Sequence, residues 1–191
     1  GMMYRACTLM ALRAGIDPED KVNLGIMAEA TSLQFVASPD GDRLLANGED
    51  VTDDLRTPEV QEAVSLVAAV SEVRVAMVSE QQHIAEDGRV IMVGRDIGTK
   101  VLPHAVKLYL DASVAERVRR RFVEEQGTMS AEDVRANVEL RDRVDSERED
   151  SPLRVADDAM LVETDYLDVE GVAQRILELL REAQRGNSTI E

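Results

Sequence analysis

The chain has few of the residue types that often settle a protein's class at once. Its 191 residues include one cysteine, no tryptophan, two phenylalanines and three tyrosines. Cys7 has no second cysteine to pair with, which excludes an internal disulfide and indicates a reduced, cytoplasmic compartment. Because Cys7 lies in an apolar run, we interpret it as a buried small hydrophobe, with a nucleophilic thiol as the alternative.

Long apolar runs and basic residues are also scarce. No stretch approaches the roughly 18 apolar residues of a membrane span, and no secretory signal pattern opens the chain, so we expect no membrane partner. The 38 acidic residues against 22 basic ones give a net charge of −16, which argues against binding to nucleic acid polymers because the general field repels polyanions. Of the basic residues, 19 are arginine and 3 are lysine. Arginine suits bidentate capture of a small anion, with codon usage as the alternative explanation.

The spacing of apolar residues predicts alternating helices and strands. Helices are predicted over 2–13, 19–31, 60–68, from about 72, and over 114–126 and 169–185. Short strands are predicted over 33–37 and 43–46. Buried strands are predicted over the all-apolar run 90–93 and over 106–110 and 160–162. The length is typical of one domain. We therefore predict an α/β fold with a parallel sheet wrapped by helices, whose ligands lie beyond the carboxyl ends of the strands.

The predicted strand at 90–93 runs directly into the sequence Gly94-Arg-Asp-Ile-Gly-Thr99. Arg95 offers a fork for phosphate, Asp96 offers an acceptor for hydroxyl or amine groups, and the flanking Gly94 and Gly98 would let a ligand approach the backbone. A local ion pair between the two charged neighbours is the alternative. The spacing does not match the G-x₄-G-K-[ST] pattern of a Walker A loop, so we reject that interpretation.

Arginines are concentrated on two later predicted helices. Three of them share one face of the first helix: Arg117, Arg120 and Arg121. Two arginines flank an aspartate on one face of the second: Arg141, Asp145 and Arg148. Two guanidinium groups beside a carboxylate that orients one of them would suit the binding of an anion. A solvated, salt-bridged helix surface is the alternative.

Several motifs occur in the order of one enzyme family. They are Tyr4-Arg-Ala6, Asn47-Gly-Glu-Asp-Val51 with Leu55-Arg-Thr-Pro-Glu-Val60, Val73-Arg74, Gly94 to Thr99, Leu110-Asp-Ala-Ser113 with the arginines that follow, and Arg141-Asp142 through to Leu153. Through these motifs nearly the whole chain resembles the cytidylate kinases, bacterial enzymes that transfer the γ-phosphoryl group of ATP to CMP or dCMP. The resemblance implies a P-loop nucleoside monophosphate kinase-like fold in a single domain, residues 1–191. Within it, residues 32–70 would form the monophosphate-binding insertion and residues 114–148 the lid.

The resemblance also implies a role for most of the polar residues singled out above. Arg74, Arg95 and Arg148 would hold the CMP phosphate, and Asp145 would face the ribose hydroxyls with Arg141 close by. The residues implied around the cytosine and sugar are Tyr4, Arg5, Ser65 and Asp96.

The same resemblance names the catalytic groups and the co-substrate. Arg117 and Arg121 of the lid would close over the transferring phosphoryl group and, with Arg95, are the catalytic candidates. ATP would be the co-substrate, with Mg²⁺, and no residue is assigned as a metal ligand. A charged cluster of this kind suits phosphoryl transfer, which depends on positioning and electrostatic stabilisation.

The sequence departs from that family at its start and at two single positions. The family opens with a strand and a Walker A loop, and this chain begins just after them, so we expect both to be missing through a late translation start. Val93 stands where the family usually has an acidic residue, and Gln82 where it often has arginine. We therefore expect little turnover of CMP with MgATP, and an uncovered sheet edge that favours a homo-oligomer. The alternative is a non-catalytic nucleotide-binding or interaction module derived from a cytidylate kinase.

Overall fold

The computed structural model describes residues 1–39, 41–86, 88–124, 129–147 and 152–187, and the side chains up to residue 185. The chain divides into two units. The first runs from Gly1 to Leu102 and includes Pro152, and the second holds Pro103–Glu147 and the chain from Leu153 onward. None of the described helices is long and apolar enough to cross a membrane.

The first unit is mainly helical. Its helices are α1 (Met2–Arg13), α2 (Lys21–Ala30), α3 (Pro58–Val67) and α4 (Ser71–Glu86). A 3₁₀ helix covers Thr52–Arg56 and a π-helical turn covers Ile97–Val101. The four helices predicted for this part of the sequence are confirmed, because each carries apolar residues at helical spacing. In α3, for example, Val60, Val64 and Val67 are all buried.

The core of the first unit lies between its helices. Helix α1 packs on α3, and α2 packs on α4. Leu24 of α2 and Met77 of α4 are almost completely buried in this core. Cys7 of α1 is also fully buried, and this burial raises the pKa of its thiol to about 12. The interpretation of Cys7 as a buried small hydrophobe is confirmed.

A small antiparallel sheet completes the first unit. Its strands β1 (Leu33–Val36), β2 (Arg43–Ala46) and β3 (Glu49–Asp50) lie in the order β1-β2-β3. Asn47 and Gly48 connect β2 to β3 with φ angles of 52° and 82°. Two successive positive φ angles are typical of the tight hairpin turn that asparagine and glycine favour. The strands predicted over 33–37 and 43–46 are confirmed.

The second unit contains a parallel strand pair and three helices among its described residues. Strands β4 (Leu108–Asp111) and β5 (Met160–Glu163) pair in parallel, with Leu108 opposite Met160. The helices are α5 (Val114–Glu124), α6 (Ala131–Glu147) and α7 (Val169–Asn187), and α5 packs on α6. The strands predicted over 106–110 and 160–162 and the helices over 114–126 and 169–185 are confirmed, although residues 125 and 126 lie outside the described part. The α/β class is confirmed with them.

The strand predicted over residues 90–93 is wrong. This segment has no regular secondary structure and no paired strand, and Ile91 and Val93 are 94% and 83% exposed. An all-apolar run indicates a tendency to be buried, but a strand forms only where a neighbour offers backbone hydrogen bonds. No strand of the described residues pairs with this one, so the parallel sheet there consists of β4 and β5.

Candidate functional site

Arg74 is a charged side chain buried in the core of the first unit. It lies on the inner face of α4 next to Val73, and its side chain is only 3% exposed. A buried guanidinium is costly unless its N–H groups have partners and an opposite charge lies close by. Its neighbours therefore decide whether this position is structural, functional or both.

Three groups surround the guanidinium of Arg74. One Nη donates to the carbonyl oxygen of Ala68 at 3.1 Å, and the other donates to Oδ2 of Asp96, which is buried as well. The ring of Tyr4 lies beneath it, with 5.3 Å between the Arg74 Cζ and the ring centroid. The Nε of Arg74 is buried and has no hydrogen-bond partner among the described residues. A fixed, buried fork with one unused N–H is suited to an oxyanion.

A π-helical turn presents Asp96 to Arg74. The backbone carbonyl of Asp96 accepts hydrogen bonds from the N–H groups of Thr99, Lys100 and Val101, at 3.3, 2.8 and 3.3 Å. Turns of this kind occur often at functional sites, because they re-aim a side chain without breaking the hydrogen-bonded backbone. The tight turn leaves the Asp96 carboxylate facing Arg74.

Gly94 is closely packed against a neighbouring side chain. A Cβ atom at Gly94 would lie 2.8 Å from Cγ1 of Ile97, so the glycine makes room for this side chain. Local packing is therefore one reason for glycine here, and the expectation that it also lets a ligand approach the backbone stays a prediction.

The other predicted residues of the first unit have different surroundings. Tyr4 is buried, and Arg5 beside it donates from Nη1 to the carbonyl oxygen of Leu55 at 3.1 Å. Ser65 on α3 and Arg95 before the π-helical turn are each partly exposed. The structure thus brings Tyr4, Arg74 and Asp96 into direct contact.

Two arginines of the second unit extend from α5 toward acidic side chains. Nη1 of Arg117 lies 2.5 Å from Oδ2 of Asp142 on α6, and its Nε donates to the carbonyl oxygen of Ala112 at 3.1 Å. Arg121 pairs with Glu124 one turn further along α5, at 3.2 Å. Arg117 therefore has a fixed geometry between two elements, whereas the ion pair of Arg121 lies on the helix surface.

Arg141 on α6 lies near charges of both signs. Partial burial and the nearby charge of Arg121 lower the pKa of Arg141, and Asp142 acts in the opposite direction. Nε of Arg141 lies 4.0 Å from Oδ2 of Asp145, one turn along the helix. At this distance the two side chains form an ion pair without a hydrogen bond, and the expectation that Asp145 orients Arg141 stays a prediction. Arg148, predicted on the same face, lies outside the described residues.

Arg120 was grouped with Arg117 and Arg121 by helical spacing, but it has a different set of partners. Its Nε donates to Oε1 of Glu116 at 2.8 Å, and its two Nη atoms donate to the side chain and the backbone carbonyl of Thr164 after β5. Glu116 also accepts two hydrogen bonds from Arg119, both at 2.7 Å. These donors lower the pKa of Glu116 to about 2. Arg120 is therefore an anchor for α5.

A second anchor lies at the first residue before α5. The carboxylate of Asp165 accepts hydrogen bonds from the backbone N–H and the hydroxyl of Ser113. The Ser113 hydroxyl oxygen in turn accepts from the N–H of Glu116 at 3.2 Å, which caps the helix. Both anchors lie just beyond the carboxyl ends of β4 and β5, the edge where parallel sheets bind ligands.

Comparisons with known proteins agree with this arrangement of residues. A family model for cytidylate kinase matches residues 1–182. The chain belongs to the cytidylate kinase family. It is 48% identical to the cytidylate kinase of Geobacillus kaustophilus (strain HTA426) over 186 residues, which are 95% of this chain and 83% of that protein. It is 42% identical to the cytidylate kinase of Bacillus subtilis (strain 168) over 189 residues, 97% of this chain and 84% of that protein.

Membership of the cytidylate kinase family confirms the resemblance found in the sequence. It does not test the roles of single residues, which stay predictions. Sequence reasoning did not assign four groups that hold the arginines or helix α5 in place: the carbonyl oxygen of Ala68 and the residues Asp142, Thr164 and Asp165. Asp142 lies inside the Arg141-Asp142 motif, which was the available signal. The partners of the other three depend on contacts between segments distant in sequence.

The described residues offer no dedicated metal site. No group of three or more His, Cys, Asp or Glu side chains in this part of the chain could hold a metal ion. The arrangement is instead one of arginine forks, which are suited to phosphate oxygens.

Proposed function

We propose that this cytidylate kinase family member transfers the γ-phosphoryl group of ATP to CMP or dCMP, giving CDP or dCDP. The observation that carries the proposal is the buried contact of Tyr4, Arg74 and Asp96, with the unpartnered Nε of Arg74. A solely structural ion pair needs no unused N–H group in a buried position. An anionic substrate would complete the hydrogen bonding of this guanidinium.

The acceptor nucleotide would use residues of the first unit. Arg74 and Arg95, with Arg148, would bind the CMP phosphate, and Tyr4 and Asp96 would border the cytosine and sugar. Arg5 and Ser65 are the remaining candidates around this nucleotide. Residues 32–70 would act as the monophosphate-binding insertion of a nucleoside monophosphate kinase-like fold.

The transferring phosphoryl group would use arginines of the second unit. Phosphoryl transfer spreads negative charge over the equatorial oxygens, and an arginine placed there contributes about 10³–10⁵ in rate. Arg117 and Arg121, within the proposed lid at 114–148, would meet this charge. Arg141 and Asp145 would serve the acceptor's phosphate and ribose.

Mg²⁺ would enter with ATP. Its preferred ligands are phosphate oxygens and water with one or two carboxylates, and such a metal needs no protein cage of the kind absent from the described residues. When bound it neutralises charge on the phosphate oxygens. The residues of this chain then have to bind and orient the two nucleotides and exclude water.

Calorimetric titration with CMP and AMP tests the proposed acceptor. We expect CMP to bind at least tenfold more tightly than AMP. Replacement Arg95→Gln should weaken CMP binding more than tenfold, because a bidentate partner of the phosphate is lost. Arg89→Gln is the matched control, since Arg89 is an exposed arginine of the same unit and its loss changes the net charge equally. Equal affinity for CMP and AMP would overturn the substrate assignment.

A further inference from the structure

Asp142 lies between the two arginine-bearing helices of the second unit. Its Oδ2 is 2.5 Å from Nη1 of Arg117, and the side chain is 28% exposed. This ion pair joins α5 to α6, whereas the pairs of Arg121 with Glu124 and of Arg135 with Glu139 each lie within one helix. Such partly buried pairs are screened less by salt than pairs on the helix surface.

The guanidinium of Arg117 is held at two points. Nε donates to Ala112 at the end of β4, and Nη1 meets Asp142. A planar fork bound at two of its N–H groups has a fixed plane. Nη2 makes no hydrogen bond to any residue within the described ranges, so that edge of the fork is available to an incoming oxygen atom.

We infer that Asp142 is a positioning residue for Arg117, which it holds in the orientation that meets the oxygen atoms of the transferring phosphoryl group. The inference rests on the proposed function, because only that function supplies a phosphoryl group for Arg117 to bind. A side chain fixed before the ligand arrives loses less conformational entropy on binding, so the interaction contributes more. Asp142 would achieve this without touching the nucleotide.

Asp142 is also close to the charge of Arg141. It favours the charged form of that guanidinium, in opposition to burial and to Arg121. The Asp142 carboxylate would therefore orient Arg117 and partly balance the positive charge of Arg141, close to the arginines that would bind the phosphates. In the contrary role, Asp142 would compete with phosphate for Arg117. Removal of its charge would then tighten phosphate binding instead of weakening it.

A double-mutant cycle with ATP binding separates these roles. Arg117→Met should weaken ATP binding about tenfold in the wild-type chain and about twofold in the Asp142→Asn background, because Arg117 there is no longer held in place. Asp142→Glu should retain part of the effect. Glu139→Gln, on the same helix and with the same change of charge, is the matched control and should leave the full tenfold effect of Arg117→Met.

Each outcome has a separate meaning. Equal effects of Arg117→Met in both backgrounds, or tighter ATP binding by Asp142→Asn beyond that of Glu139→Gln, would overturn the positioning role. No effect of Arg117→Met in the wild-type chain would overturn the role of Arg117 in the proposed function instead.

A second measurement does not depend on nucleotide binding. By nuclear magnetic resonance of the arginine side chains, the Nη hydrogens of Arg117, which include those that Asp142 accepts, should exchange with water several-fold more slowly than those of the exposed Arg143. Asp142→Asn should remove most of this difference, and an unchanged exchange rate would overturn the inference. Melting curves of each variant establish that it remains folded.

Discussion

The guanidinium of Arg74 lies over the ring of Tyr4, with 5.3 Å between Cζ and the ring centroid. Both residues are buried, so the attraction between the cation and the face of the ring is little screened. Cation–π contacts contribute about 0.5–2 kcal/mol, with the larger values in desolvated sites. Tyr4 of α1 therefore supports the plane of the arginine that the proposed function assigns to the CMP phosphate.

Replacement Tyr4→Leu tests this support. We expect the free energy of unfolding to fall by about 1–3 kcal/mol, since a buried aromatic side chain and its contact with Arg74 are lost. CMP binding should weaken in parallel. Urea denaturation and calorimetry measure the two effects. Tyr4→Phe keeps the ring and should retain most of both, and a loss as large as that of Tyr4→Leu would contradict the cation–π explanation.

The buried pair of Arg74 and Asp96 gives a second prediction. Asp96→Ala leaves the guanidinium buried without its counter-charge, and such losses cost about 3–5 kcal/mol. The double replacement Arg74→Met with Asp96→Leu removes both charges and should cost less than Asp96→Ala alone. Urea denaturation of the wild-type chain, of Asp96→Ala and of the double variant measures the three free energies of unfolding. A double variant less stable than Asp96→Ala would show that the pair stabilises the fold beyond the penalty of an unpaired charge.

Gly25 of α2 lies close to helix α4. A Cβ atom at this position would lie 2.6 Å from Cβ of Glu72. Alanine normally stabilises a helix interior by about 1 kcal/mol over glycine, but overpacking costs about 1–3 kcal/mol. We expect Gly25→Ala to lower the free energy of unfolding. In a Glu72→Gly background the same change should raise it, and a change of the same sign in both backgrounds would exclude this contact as the cause.

The low pKa of Glu116 predicts a dependence of stability on pH. Hydrogen bonds from Arg119 and Arg120 lower this pKa from 4.5 to about 2 in the folded chain. Because the pKa of Glu116 is lower in the folded chain than in the unfolded chain, its ionised form stabilises the fold at pH values above about 4.5. This stabilisation is lost as the pH falls from about 4.5 to about 2. The wild-type chain should lose more stability over this range than Glu116→Gln. Asp50, whose pKa is also about 2, leaves a residual slope in both. Thermal melts at several pH values measure the difference, and identical slopes would rule out Glu116 as a contributor.

The sequence predicted the helices well because each buries one apolar face at a spacing that the chain itself displays. Val60, Val64 and Val67 illustrate this for α3. The prediction for residues 90–93 failed because strand formation depends on a partner that no local pattern reveals. Ile91 and Val93 carry the right residue types for a buried strand and are exposed. Apolar composition records a preference for burial and says nothing about which backbone supplies the hydrogen bonds.

Within the candidate site, residue types were easier to predict than partners. Arg74 and Asp96 were each singled out, but their mutual contact depends on the π-helical turn that aims Asp96. Helical spacing grouped Arg120 with Arg117. In the structure, Arg120 donates a hydrogen bond to Thr164, whereas Arg117 donates one to Asp142. Spacing identifies which side chains share a face of a helix. It cannot say which neighbouring element each of them reaches.

The two anchors at the start of α5 restrict how the proposed lid can move. Ser113 is bound to Asp165, and Arg120 is bound to Thr164, so the first two turns of α5 are attached to the segment that follows β5. Bending within these turns would break several hydrogen bonds at once. If the proposed lid moves with these bonds intact, the chain has to bend beyond Arg120. Movement of Arg117 together with the lid would require the bonds of Ser113 and Arg120 to break.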